Sequence, residues 1–120
     1  MNYLYICGKY ESLVANNPDV DFILAHGRPL TQIVPLLHNY SNAYADSAFM
    51  PTTDMFQLIR EGLSHKLLWG TDMCIPKYYR PDEDMQAYYQ RKLKTFKDVC
   101  INGQYEQVTF KNAVKLWHLR

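Results

Sequence analysis

Two short apolar runs in the sequence each lead into a side chain that can do acid–base or metal chemistry. The run at 20–25 precedes His26, and the run at 66–71 precedes Asp72. In parallel α/β folds the carboxyl ends of the strands face the ligand site, so both side chains are expected at one edge of a sheet. A neutral imidazole can bind a metal ion or move a proton, and a carboxylate beside a divalent cation stays ionised. The pattern therefore predicts a metal-assisted or general acid–base site.

Two further residues are weaker candidates for the same site. Asp46 lies in a third apolar run at 43–48, where it could hydrogen-bond a ligand histidine or have a structural role. Cys74 follows Asp72 closely and is either a thiolate ligand or a small buried apolar side chain. The remaining histidines are expected at the surface or at helix ends; they are His38, His65 and His118.

Three cations near these runs are candidates for binding substrate. Arg28, Lys77 and Arg80 could bind a carboxylate substrate, and an arginine is suited to a bidentate contact. The alternative is that all three are ordinary solvent-exposed charged residues with no role in binding. No Gly-x-x-x-x-Gly-Lys, Gly-x-Gly-x-x-Gly or Gly-x-Ser-x-Gly motif occurs, so nucleotide-binding and serine-hydrolase functions lack support.

Helical and extended patterns alternate along the chain and must position these side chains. The spacing predicts strands over 20–25, 43–48 and 66–71, with the first buried on both faces, and helices over 3–16, 30–38, 52–62, 81–101 and from 109. Pro35 is expected in the first turn of its helix, which then begins near Thr31. Thr52 or Thr53 is expected to cap the third helix, Thr109 the last one, and 73–80 is predicted as a loop. Strands recurring about every 23 residues imply parallel strands joined by helical crossovers.

Composition narrows the function classes. The 120 residues form one predicted unit, 1–120, with 48% hydrophobic residues and a net charge of +1. There is no basic field for nucleic acid and no acidic tail. The apolar runs are far shorter than the roughly 18 residues that span a bilayer, and no signal peptide is evident. Three widely spaced cysteines fit a reducing compartment, so we expect a cytoplasmic protein.

Four segments of the chain match, in order, motifs of one enzyme family. The segments are NPDVDFILAHG at 17–27, NAYADS at 42–47, LLWGTD at 67–72 and NAVKLW at 112–117. Over about residues 15–118 the chain resembles the C-terminal part of the amidohydrolase-related metal-dependent hydrolases. The resemblance implies an α/β fold that is a partial (β/α)8 TIM barrel, with about three parallel strands, equivalent to strands six to eight, and flanking helices.

The resemblance also implies roles for the two strand-end side chains. Asp72 would bind the metal and take a proton from the attacking water, and His26 would bind the metal or polarise the substrate carbonyl. The implied activity is hydrolysis of an amide or ester bond of a small molecule by metal-activated water, with zinc as the expected divalent ion. Some relatives decarboxylate instead, so a decarboxylase of the same superfamily is an alternative.

The chain departs from the family pattern in ways that concern the metal. The family has a His-x-His pair on its first strand and another metal-binding histidine at the end of strand five, and this chain has neither. Arg28-Pro29 follows Gly27, where the family often has more glycines. A typical barrel needs about 250 residues. We therefore expect an incomplete, truncated enzyme that binds metal weakly and turns over little as an isolated chain.

Two other hypotheses remain open from the sequence. The chain could be a non-catalytic α/β remnant or interaction module, because three strands cut from a barrel would have two open edges and an exposed apolar face. It would then form a homo-oligomer or pair with an N-terminal partner chain. Alternatively, it could be an unrelated α/β domain that binds a small anion, in which case Asp72→Asn would leave ligand binding intact.

Overall fold

As far as β3, helices and short strands alternate along the chain in the order that the apolar spacing predicts. The computed structural model describes the backbone of residues 4–119 and the side chains of residues 10–73 and 75–119. The elements are α1 Leu4–Asn16, β1 Phe22–Leu24, α2 Leu30–Asn39, β2 Ala43–Asp46, α3 Thr52–Arg60, β3 Leu67–Leu68, α4 Cys74–Tyr79, α5 Met85–Val99, α6 Gln104–Glu106, a π-helical turn Gln107–Lys111 and α7 Asn112–Leu116. A turn at Ala25–Gly27, in which His26 and Gly27 have positive φ angles, follows β1. A single 3-10 turn, Ser64–Lys66, precedes β3.

The three strands form one open parallel sheet. Their order is β1-β2-β3, with Phe22 opposite Ala43 and Ala45 opposite Leu67. The predicted α/β class with three parallel strands and flanking helices is therefore confirmed. The strands are shorter than predicted, since β3 has only two residues.

The core lies on one face of this sheet. The register turns Ala43, Ala45 and Leu67 to the same face, and all three are fully buried. That face packs against buried residues of the helices and the π-helical turn: Val14, Ile33, Leu36, Leu37, Met55, Leu58, Phe96 and Val108. Because neighbouring strands are consecutive in the chain, right-handed crossovers place α2 and α3 on the same side.

The opposite face of the sheet carries Ile23, Tyr44, Asp46 and Leu68. Ile23 is 39% exposed, and Tyr44 and Asp46 are half-buried. The prediction that the first strand is buried on both faces is wrong. Within the described part of the chain, β1 is an edge strand that pairs with β2 and packs on the core through Phe22 and Leu24.

Two buried asparagines tie elements to the sheet through their amide nitrogens. Asn42 Nδ2 donates to the carbonyls of Val14, Asn17 and Val20 at 3.2, 2.9 and 2.9 Å, which fixes the end of α1 and the start of β1 beside β2.

Asn112 Nδ2 donates to the carbonyls of Ser64 and Leu67, both at 2.7 Å. The Trp69 N–H donates to the Val108 carbonyl at 3.1 Å on the same side. The outer edge of β3 is therefore covered by the π-helical turn and α7. The sequence led us to expect two open sheet edges, and this expectation is wrong for the β3 edge.

Several predicted helix boundaries are also wrong. Helix α2 begins at Leu30, so Pro35 is its sixth residue and not in the first turn. Pro35 is exposed, so water can solvate the carbonyl that loses its helical partner. Helix α3 begins at Thr52 after Pro51, and no side chain caps it, although Asp54 is in its first turn and Gly62 follows its end as predicted.

The C-terminal third departs furthest from the predictions. Residues 74–79 are helical and not a loop. Helix α5 begins at Met85, because the Asp84 side chain accepts from the N–H groups of Gln86 and Ala87. Thr109 is no N-cap: it lies inside the π-helical turn, and its hydroxyl donates to the Tyr105 carbonyl at 2.7 Å. The predicted helix start at residue 3 lies outside the described residues.

No helix within residues 4–119 has both the length and the apolarity needed to cross a membrane.

Candidate functional site

Strained backbone follows the carboxyl end of every strand. His26 after β1, Phe49 after β2 and Asp72 after β3 have φ angles of 66°, 61° and 49°. This left-handed region is uncommon for residues other than glycine and tends to be retained where surrounding contacts impose it, often at functional sites. Both residues that the sequence selects for chemistry, His26 and Asp72, therefore have an unusual backbone conformation at the same edge of the sheet.

The Asp46 carboxylate fixes the backbone at His26. Its Oδ1 atom accepts the His26 N–H at 3.1 Å and the Ala48 N–H at 2.9 Å. Asp46 was expected either to hydrogen-bond a ligand histidine or to have a structural role, and its contact with His26 is to the backbone N–H. One carboxylate joins the end of β1 to the segment after β2.

The His26 ring is oriented by the same segment. Its Nδ1 atom lies 3.1 Å from the Ala48 carbonyl oxygen. Because a carbonyl can only accept, Nδ1 carries the hydrogen and Nε2 of the neutral ring keeps its lone pair. The ring is exposed, so Nε2 can meet a ligand or a proton.

Gly27 allows the chain to lie directly on β2 after His26. Its φ is +48°, and a β-carbon built there would lie 2.6 Å from Met50 Cε, 3.1 Å from Ala45 Cβ and 3.3 Å from the Asp46 carbonyl oxygen. A larger residue would push the His26 turn away from the Asp46 carboxylate. The glycine of the His-Gly pair is thus required by the packing.

Asp72 is half-buried between β3 and α4. Its carbonyl accepts the Ile75 N–H at 2.9 Å at the start of α4, and the Thr71 carbonyl before it accepts the Tyr89 hydroxyl at 2.8 Å. Among the described side chains, none hydrogen-bonds or pairs with the Asp72 carboxylate. The carboxylate is therefore open to a ligand.

Ser47 connects the ends of β2 and β3. It is fully buried, its N–H donates to the Leu68 carbonyl at 2.9 Å, and its hydroxyl oxygen accepts the Gly70 N–H at 3.1 Å. The His26 turn and the strand that leads to Asp72 are thus both anchored to residues 46–48. Among the hydrogen bonds and ion pairs of the described residues, none joins the His26 and Asp72 side chains directly.

Aromatic rings extend the edge beyond His26. The Phe49 ring lies edge-on to the His26 ring and to the Tyr79 ring, with 6.1 Å between the ring centroids in each pair. This geometry is the favoured one for aromatic pairs. Phe49 therefore links the end of β1 to α4.

The described residues do not by themselves fit a catalytic zinc ion. Such a site takes three protein ligands and an open position. Across the described side chains, no group of three or more His, Cys, Asp or Glu is arranged to hold a metal ion. His26 and Asp72 would supply two ligands at most, and the Cys74 side chain lies outside the described residues.

Each of the three cationic side chains predicted to bind substrate already contacts another polar group of the protein. Arg28 Nε lies 3.7 Å from an Asp54 carboxylate oxygen. Lys77 Nζ donates to the Pro81 and Glu83 carbonyls at 2.6 and 3.0 Å.

Arg80 donates to the Glu83 carboxylate at 3.2 Å. A substrate carboxylate would have to compete with these exposed contacts, and the role of the three cations stays a prediction.

Sequence reasoning missed Ser47, Ala48 and Phe49, which join the strand ends. Ser47 is adjacent to Asp46 and gives no signal beyond a small polar residue at the end of a strand. Phe49 before Met50-Pro51 is a large apolar residue in a short connection, and that placement could have marked it.

Comparison with known proteins gives no match for this chain, whether to a family model, a curated protein or a solved structure.

Proposed function

We propose that this chain is the C-terminal portion of an amidohydrolase-type (β/α)8 barrel and contributes His26 and Asp72 to a metal-dependent hydrolase site that residues from outside the chain complete. The observation that carries the proposal is the set of positive φ angles after all three strands, at His26, Phe49 and Asp72. Strain of this kind costs about 1–3 kcal/mol per residue and persists where structure imposes it.

The topology supports the barrel assignment. Strands in chain order with their helices on one face match the winding of a (β/α)8 barrel, whereas a doubly wound sheet reverses its order and has helices on both faces. The face with Ile23, Tyr44 and Asp46 would then be the barrel interior, and the edge with His26 and Asp72 the mouth.

The side-chain environments support separate roles for His26 and Asp72. The His26 ring is fixed through Nδ1 and presents Nε2, as a metal-binding or carbonyl-polarising imidazole must. The Asp72 carboxylate has no partner among the described side chains and could accept a proton from water or bind a cation. A bound divalent ion would lower the pKa of a water molecule toward neutrality.

Metal analysis and activity assays test the proposal. The purified chain should carry little metal and should hydrolyse amide or ester substrates slowly even with added zinc or manganese. Stoichiometric, tightly held metal in a monomer would contradict the idea of an incomplete site. An upstream reading frame that encodes a His-x-His pair would favour a split or truncated enzyme.

A second candidate is a non-catalytic interaction module, and one observation favours it. Among the described strands, β1 pairs with β2 alone, and Val20 and Ile23 near its other edge are 50% and 39% exposed. An exposed edge strand with apolar side chains is a template for pairing with another strand. The chain would then associate with a copy of itself or with an N-terminal partner chain.

A further inference from the structure

A groove of about 530 Å³ lies between the segment after β2, helix α4 and helix α5. Its volume is in the range of small-molecule sites. The groove includes Phe49 and Tyr79, so it begins where the aromatic contacts of His26 end. It is nevertheless separate from the strand-end carboxylates, because neither Asp46 nor Asp72 lines it.

The charged side chains of the groove are predominantly basic. Arg80, Arg91 and Lys92 line it together with one carboxylate, that of Glu83. Arg80 and Arg91 both pair with Glu83, and Arg80 also lies over the Tyr88 ring at 5.3 Å. The lining thus carries two more positive than negative charges, because the two arginines share one carboxylate and Lys92 adds a further cation.

Lys92 is a half-buried cation that has no anionic partner among the described side chains. Its ammonium group lies 5.7 Å from the centroid of the Trp69 ring. Burial lowers the pKa of Lys92, as expected for an ammonium group that loses water without gaining a carboxylate. An anion in the groove would supply the missing partner.

Aromatic rings form much of the remaining wall. Phe49, Tyr79 and Tyr88 line the groove beside Pro51 and Pro76. Aromatic rings favour edge-on or offset contact with another planar group. An aromatic ligand could therefore bury its flat apolar faces against these side chains. The combination of one unpaired cation with several rings suits a ligand that is both anionic and planar.

We propose that this groove binds a small aromatic carboxylic acid, whose carboxylate pairs with Lys92 and whose ring packs among Phe49, Tyr79 and Tyr88. The proposal does not depend on the hydrolase assignment, because it concerns binding and uses neither His26 nor Asp72. A monocarboxylate matches the single unpaired ammonium group, whereas a phosphate dianion would leave the aromatic wall unused.

Titration of the chain with benzoate, followed by amide NMR shifts, tests the proposal. Benzoate should shift the amides of residues 49, 50, 52, 79, 80 and 91–95 saturably. Neutral benzamide and non-aromatic acetate should each bind at least tenfold more weakly, because a hydrogen bond to a charged group or a ring contact is lost. Inorganic phosphate should not compete with benzoate.

Variants separate the groove from general surface charge. Lys92→Met should weaken benzoate binding at least tenfold. The matched control is Lys94→Met on the same helix, where the exposed lysine pairs with Asp98, and it should leave binding unchanged. Lys92→Arg keeps the charge and should retain binding to within about threefold. Amide shifts outside the groove report whether each variant is folded.

The following results would overturn the proposal. They are the absence of saturable shifts in the groove, unchanged affinity in a folded Lys92→Met variant, and a loss in Lys94→Met equal to that in Lys92→Met. Phosphate or acetate binding as tightly as benzoate would show that the groove does not select an aromatic acid.

Discussion

At the scale of single residues, the Asp46 carboxylate is the contact on which the candidate site depends most. It accepts two backbone N–H groups, from His26 and Ala48, and so holds the His26 turn against β2. The Ala48 carbonyl then orients the imidazole. The conformation of His26 is therefore set by the end of the neighbouring strand.

Replacing Asp46 should destabilise the protein measurably. Asp46→Ala leaves two N–H donors unpaired and should lower the free energy of unfolding by about 1–3 kcal/mol. Asp46→Asn keeps one acceptor oxygen and should cost less. Urea denaturation measures both, with Asp98→Ala as the control, since an exposed helical ion pair is worth only about 0.3–0.5 kcal/mol. Equal losses in Asp46→Ala and Asp98→Ala would contradict the role of the carboxylate.

Lys92 should make the folded state less stable wherever it is charged. Its pKa is lowered by burial from the usual 10.5, so in the alkaline range the folded state binds fewer protons than the unfolded state. The contribution of Lys92 to the free energy of unfolding therefore becomes more favourable as pH rises through the alkaline range.

Lys92→Met should consequently be more stable than the natural chain at pH 7, with the difference shrinking as pH rises toward 10.5 and beyond. Urea denaturation of both proteins between pH 7 and the alkaline range measures this difference, and the exposed Lys94→Met is the control. A difference that does not change with pH would show that burial of the charge is not the cause.

The sequence was informative about some of these residues and silent about others. His26 and Asp72 could be placed at strand ends because an apolar run that stops at a polar residue marks that end. The bond from Asp46 to the His26 backbone depends on strand register and on a positive φ, which no local pattern encodes. The isolation of Lys92 depends on where α4 lies relative to α5.

At the scale of elements, buried asparagines hold helices to the sheet. Asn42 reaches three carbonyls that end α1 and begin β1, and Asn112 reaches two carbonyls that lead into β3. An amide nitrogen has two hydrogens, so three short contacts mean that one is shared. These contacts compensate for strands of two to four residues, which have few ladder bonds of their own.

The Asn42 contacts predict a specific order of stability. Asn42→Ala should lower the free energy of unfolding by about 1–3 kcal/mol, because the three carbonyls lose their donor. Asn42→Asp should cost more, since a carboxylate would face carbonyl oxygens without a hydrogen to share. Thermal or urea denaturation measures both, with the exposed Asn39→Ala as control. An Asp variant as stable as the natural chain would refute the contacts.

Element types were easier to predict than their limits. The strands and the four longer helices follow from apolar spacing, whereas α4 was missed because Cys74–Tyr79 has a proline inside a short aromatic stretch. The π-helical turn was missed because its hydrogen bonds depend on the contact of Val108 and Asn112 with β3. Pro35 was misplaced because its position on the solvent side of α2 cannot be read from propensity alone.

At the scale of the whole molecule, one face of the sheet packs against the core, and the β1 edge has no strand partner among the described residues. The helices pack on the face with Ala43, Ala45 and Leu67, and the π-helical turn covers β3. On the opposite face Leu68 is also buried. A barrel would continue from that edge. The same edge could instead join two copies of the chain.

Sedimentation at increasing concentration tests pairing at the β1 edge. If the edge associates, the natural chain should form dimers, and Ile23→Lys should remain monomeric because a charged edge opposes strand pairing. Ile101→Lys, at a residue that is 63% exposed beyond α5, should behave like the natural chain. A natural chain that stays monomeric at high concentration would contradict edge pairing.

If His26 and Asp72 belong to one metal site, a single ion must lie near both side chains. Line broadening by substoichiometric Mn²⁺ in amide NMR can detect this, because a paramagnetic ion reports even weak binding at its location. Amides near both His26 and Asp72 should broaden together, and Asp72→Asn should abolish the effect at both, while Asp98→Asn should not. Broadening confined to the acidic residues at 82–84, or broadening near His26 that survives Asp72→Asn, would contradict a shared metal site.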